Sequence, residues 1–245
     1  MLSAAGLGVS SILGSAIGLF VKRIPHKWND IFMGFCAGMM LAASLVCLLL
    51  PAIQSTTPGE WWQVAVGTAA GVLFVGMMDK FTPHLHHLSG KDPEEHLTNA
   101  SLNRTLLFVM AIALHKLPEG LATGVTFNGD ISNAWAVTIT IALQNIPEGI
   151  VVVTPLLMAG IGFWRTFSMA VIVSLVEIVG TIIGYLVGDI SEALLPALLA
   201  MAGGAMLYVI SDEMIPETHA HGYQKGATVA LVCGVLTMLF IESLM

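Results

Sequence analysis

Apolar runs of about 20 residues recur along this chain, and that recurrence constrains its fold more than any other feature. A hydrocarbon core about 30 Å thick is crossed by a helix of about 20 residues, and lipid offers no partner to an unpaired main-chain amide. Eight runs are expected to be helices, at 4–21, 31–50, 61–79, 104–126, 133–158, 166–187, 193–211 and 226–244. Only 10% of the 245 residues are charged, against roughly 25% in an ordinary soluble domain. A soluble fold is thereby excluded. The expected class is all-α: a polytopic membrane protein with eight transmembrane helices in one bundle.

No linker or low-complexity tract interrupts the runs, so residues 1–245 read as a single transmembrane domain. The first run has no basic stretch before it and no small-residue cleavage site after it, and is expected to remain as a span. Cys36, Cys47 and Cys233 fall inside spans, where an apolar setting keeps thiols protonated, and they show no disulfide pattern. Gly180, Gly184 and Gly188 form a ridge at four-residue spacing on the sixth span, a helix-packing device that Gly34/Gly38 and Gly67/Gly71 repeat.

Orientation follows the basic residues of short loops. Lys22, Arg23 and Lys27 follow the first span, Lys80, Lys91 and Arg104 the third, Arg165 the fifth and Lys225 the seventh. The other loops carry Glu60, Asp130, Asp189 and Glu192 instead. Both termini are therefore expected outside a cell (plasma or inner) membrane, with the odd-numbered loops cytoplasmic. One of these, at about 81–103, holds His84, His86, His87 and His96 among Asp92, Glu94 and Glu95, a density able to bind metal weakly.

Two segments inside spans repeat one pattern. His115-Lys116-Leu117-Pro118-Glu119-Gly120 lies on the fourth span, and Gln144-Asn145-Ile146-Pro147-Glu148-Gly149 on the fifth. A charge at the bilayer centre costs about 2.5–3.5 kcal/mol on the lenient insertion scale, so Lys116, Glu119, Glu148 and the sixth-span Glu177 must meet one another, water or an ion. Residues four apart share a helix face, which pairs His115 with Glu119 and Gln144 with Glu148. A short loop makes the two spans antiparallel, and motifs at equal depth bring these four side chains into one cage. Imidazole and carboxylate together suit zinc and its first-row neighbours better than magnesium or calcium. Each proline also pushes against the carbonyl four residues back, Leu114 for Pro118 and Leu143 for Pro147.

These paired motifs resemble the ZIP family of zinc and iron transporters, in particular its GufA-like bacterial branch. Further resemblance lies in the second span, from Gly34 to Ser44, and in the seventh, around Gly203-Gly204-Ala205-Met206 and Asp212-Glu213. The resemblance implies a 3+2+3 inverted-repeat arrangement and a binuclear site within the membrane. One metal would be held by His115, Glu119, Gln144 and Glu148, with Met40 of the second span. The neighbouring metal would use the positions of Lys116, Asn145 and Glu177, bridged by Glu119 and Glu148. The chain departs from that pattern at Lys116, whose ammonium donates and cannot coordinate metal while protonated. One bound metal is therefore expected, with Lys116 replacing the second electrostatically.

At the cytoplasmic end Asp212 and Glu213 are expected to close the seventh span, followed by Glu217, His219 and His221, so that released metal meets ligands again. The resemblance places an exit-side metal site at Asp212 and Glu213. The expected function is inward transport of a divalent transition-metal ion, zinc first, with iron, manganese and cadmium open. The metal is cargo, so no cofactor is expected. The other partners are lipid and, as an open assembly, a second copy in a homodimer; no nucleic acid is expected. Two rivals remain. An intramembrane zinc hydrolase would need three firm ligands, an open water position and a separate base, but only His115 lies deep in a span and no HExxH occurs. A proton-coupled transporter of some other solute would use Lys116 and Glu119 as a relay pair.

Overall fold

The computed structural model describes residues 2–21, 25–57, 59–81, 116–158, 160–190 and 192–244. Among them every regular element is helical: α1 (Leu2–Val21), α2 (His26–Gln54), α3 (Trp62–Phe81), α4 (116–126), α5 (Ile131–Met158), α6 (Phe163–Gly188), α7 (Leu195–Thr218) and α8 (Gln224–Ser243). By their described residues, α1, α2, α5, α6, α7 and α8 are long and apolar enough to cross a membrane, and α3 holds a shorter apolar stretch, Trp62–Met78. Their outward faces carry exposed Val66, Leu73, Ile172, Val179, Leu236 and Phe240, as a lipid-facing surface requires. Trp28, Trp61, Trp62, Trp135 and Trp164 all stand within about a turn of a helix start, where an amphipathic ring meets the headgroup layer.

Two helices contain widened π turns, Ala43–Leu49 in α2 and Ile210–Met214 in α7. Each precedes a proline, Pro51 or Pro216, which lacks an N–H and crowds the carbonyl four residues back; a wider turn relieves that crowding. The carbonyl that Pro51 leaves without its donor belongs to Cys47, and it accepts a hydrogen bond from Asn133 Nδ2 of α5 at 2.7 Å. α5 itself stays helical through Pro147. Helix α7 continues through its π turn to Thr218, so Asp212 and Glu213 sit inside the helix and do not close it, contrary to the sequence expectation.

Among the described residues, packing is extensive between α1 and α5, between α2 and α8, and between α3 and α7. α1 also lies on α6, and α2 crosses α5, which joins the two sets of helices. Glycines make the close approaches. Gly180 and Gly184 of the α6 ridge face Leu117 and Leu121 of α4, while Gly188 faces the Asn128 side chain. A Cβ on Gly184 would stand 3.0 Å from Leu121 Cα, so only glycine lets α4 lie against α6 at this depth. On the other side of the bundle Gly34 and Gly38 meet Ala227 and Leu231 of α8, and Gly67 and Gly71 meet Ala197 and Met201 of α7.

Candidate metal centre

Helix α4 turns Lys116 and Glu119 inward, three residues apart, against Gln144, Asn145 and Glu148 of α5 and Glu177 of α6. All six are at most 4% exposed, so none is neutralised by bulk water. Lys116 Nζ lies 2.7 Å from Glu119 Oε2, 2.6 Å from Glu148 Oε2 and 2.5 Å from Asn145 Oδ1. One ammonium thus spends its three donors on three acceptors, two of them charged. Such a pair is tolerable at this depth because the alternative, an isolated charge, costs far more.

The remaining atoms divide into two sides. On one, Gln144 Nε2 donates to Glu119 Oε1 at 3.0 Å, and Gln144 Oε1 has no hydrogen-bond partner among the described residues. On the other, Asn145 Nδ2 donates to Glu177 Oε1 at 2.8 Å and to Ser10 Oγ at 3.2 Å, while Ser11 Oγ donates to Glu177 Oε2 at 3.0 Å. Both oxygens of Glu177 and both ends of the Asn145 amide are therefore engaged. With all three carboxylates ionised, the single ammonium leaves two formal negative charges, the quantity that one divalent cation neutralises.

The structure brings Lys116, Glu119, Gln144, Asn145, Glu148 and Glu177 together. His115 lies outside the described residues, as do the loop histidines His84, His86, His87 and His96. Met40 is buried in α2, one turn after Cys36, whose thiol lies 3.5 Å from the Gln144 carbonyl, so that face of α2 abuts the motif of α5. Ser10 and Ser11 were missed. Their signal was present: Ser3, Ser10, Ser11 and Ser15 recur on one side of α1, and all are buried.

Away from this centre, Asp212 is exposed and Glu213 half-buried. His219 Nδ1 lies 2.9 Å from the Ile215 carbonyl and so closes the end of α7, whereas His221 reaches back to α2. Contrary to the apolar setting expected from sequence, the Cys47 thiol lies 3.3 Å from Glu242 Oε2 of α8. All three cysteines are free. No three His, Cys, Asp or Glu side chains surround a single point among the described residues.

A helical membrane protein whose centre gathers buried carboxylates, an amide and one ammonium is, as a class, an ion-handling polytopic protein. The comparisons make this specific. The family model of the ZIP zinc transporters matches residues 79–242. The chain is 37% identical to the zinc transporter ZIPB of Bordetella bronchiseptica, over 98% of this chain and 79% of that protein. It is equally 37% identical to the zinc transporter GufA of Myxococcus xanthus, over 97% and 98% of the two chains. Identity to the zinc transporter ZupT of Clostridium perfringens is 30%, over 94% and 90%. The chain belongs to the ZIP zinc transporter family. It is a transporter of divalent metal ions and not an enzyme, and the metal is its substrate, not a cofactor.

Proposed function

We propose that this protein carries one zinc ion at a time inward to the cytoplasm, through a site formed by His115, Glu119, Gln144 and Glu148 with Met40 alongside. The observation that carries this reading is the Lys116 ammonium, which holds one oxygen of Glu119 and one of Glu148 at 2.7 and 2.6 Å. The other oxygens of the two glutamates, that of Glu119 after release from Gln144 Nε2, are the ones offered to a cation. A zinc ion there takes the place of the Gln144 N–H on Glu119, and reversal of the amide turns the orphaned Oε1 toward it. Imidazole from His115, four residues before Glu119 in the sequence, completes a nitrogen and oxygen set suited to zinc. Iron, manganese and cadmium fit the same donors less selectively.

On the far side of Lys116, the ammonium stands in the second ion's place; Asn145 holds it instead of ligating, and Glu177 in turn holds Asn145. This supports a single bound metal. The basic loops support eight spans with both termini outside and the 81–103 loop in the cytoplasm. Isotopic zinc uptake into sealed vesicles containing only this protein tests the site. Glu119→Ala and Glu148→Ala are each expected to abolish uptake, and full activity in both ends the proposal.

A further inference from the structure

Where α2 and α8 begin side by side, they enclose an open cleft of about 300 Å³. Lys27 and Ile31 of α2 line it on one side, and the stretch from Gly222 to Gly226 that leads into α8 lines it on the other. Deeper in the bundle the same two helices close to glycine contact at Gly34 and Gly38, so the cleft is confined to their starts. Its floor is Ile31, which a Cβ on Gly226 would meet at 3.7 Å.

The cleft is basic. Lys27 and Lys225 are both exposed, and among the described residues neither has an acid within ion-pair distance. No acidic residue lines the space. Asp30, on the same stretch of α2, is buried and engaged with His221 Nδ1 at 3.0 Å. The first turn of α8 has no side-chain cap hydrogen bond, so the positive end of that helix adds to the two ammonium groups. Such a field attracts an anion and repels a metal cation.

The surroundings say which anion. Trp28 and Tyr223 stand beside the cleft at 50% and 44% exposure, and amphipathic rings of this kind mark the headgroup layer of a bilayer. Val229, Val232, Leu236 and Phe240 follow Lys225 at helical spacing on one face of α8, and each is more than half exposed. A basic cleft thus opens directly above an apolar stripe. An anion that carries its own apolar chains satisfies both, whereas a free anion satisfies only the first.

We infer that this cleft binds the phosphate headgroup of an anionic phospholipid, held between Lys27 and Lys225, with the acyl chains laid along the exposed face of α8. Lysine serves phosphate as a point charge. Each basic residue at an anionic membrane surface strengthens binding roughly fivefold, and two together roughly 25-fold. A zwitterionic lipid brings its own cation against the two ammonium groups and binds less well. The bound lipid ties the start of α2 to the start of α8, whichever metal the centre carries.

Native mass spectrometry of the full-length protein in detergent tests the site, with dioleoyl phosphatidylglycerol compared against dioleoyl phosphatidylcholine. The first phosphatidylglycerol is expected to bind roughly tenfold more tightly than phosphatidylcholine. Lys27→Gln and Lys225→Gln, at exposed positions where folding is not at risk, should each weaken it roughly fivefold, and the double variant roughly 25-fold. Arg165→Gln removes the same charge from the first turn of α6, away from the cleft, and should leave binding unchanged. Excess inorganic phosphate should fail to displace the lipid. Equal affinity for the two lipids overturns the proposal, as does unimpaired binding in the double variant or an equal loss in Arg165→Gln. Displacement by inorganic phosphate alone overturns it too, because the site then recognises a free anion.

Discussion

Replacing Lys116 by Asn tests the charge arrangement at the centre most directly. The substitution removes an ammonium that lies 2.7 Å from Glu119 and 2.6 Å from Glu148, with both carboxylates almost fully buried. Stripping one partner from a buried ion pair costs about 3–5 kcal/mol, because the abandoned charge has no solvent to turn to. In metal-free buffer the variant is therefore expected to unfold at a clearly lower temperature than the wild type. Asn offers an amide oxygen where Lys offered only donors, so the second cation position opens. Zinc at one hundred times its Kd contributes about 2.7 kcal/mol per site, and a variant with two sites recovers about twice what the wild type gains. Thermal unfolding followed by intrinsic fluorescence, with and without zinc, reads the stability. Elemental analysis of the desalted protein reads the metal count, expected as one ion in the wild type and two in the variant. Two ions in the wild type, or a variant as stable as the wild type without metal, refute the reasoning.

Two further outcomes follow from the surrounding helices. Ser11→Ala takes one charge-assisted hydrogen bond from Glu177 and is expected to destabilise the protein by about 1.5–3 kcal/mol in thermal unfolding, with Ser11→Thr largely restoring it; an unchanged melting profile for Ser11→Ala denies α1 its supporting role. Gly184→Val places branched carbon against the Leu121 backbone and should abolish monodisperse protein in size-exclusion profiles, whereas Gly6→Ala, where a Cβ meets nothing within 4 Å, should leave it intact.

Much of the site was legible before any fold was known, because its logic is local. Helical periodicity puts Lys116 within reach of Glu119 and sets Gln144 beside Glu148, and the membrane setting makes the encounter of the two motifs nearly obligatory. Proline chemistry was half legible. The crowding before Pro118 lies outside the described residues and α5 stays helical through Pro147, while among the described residues widened turns occur before Pro51 and Pro216, and the freed Cys47 carbonyl finds its donor on α5. The end of the seventh span was misplaced because a π turn lets the helix absorb Asp212 and Glu213 and continue to Thr218.

The sequence by itself determined that the chain is a helical membrane protein, where most of its spans run, and which two motifs carry the buried charge, since hydrophobic run length and residues three or four apart are properties of a single helix. Tertiary structure alone decided that α1 supplies the serines beneath Glu177 and that His221 returns to Asp30. Those hydrogen bonds join residues 166 and 191 positions apart. Their partners are chosen by which helix faces come together, and that choice depends on glycine contacts summed over the whole bundle, which no single stretch of sequence contains.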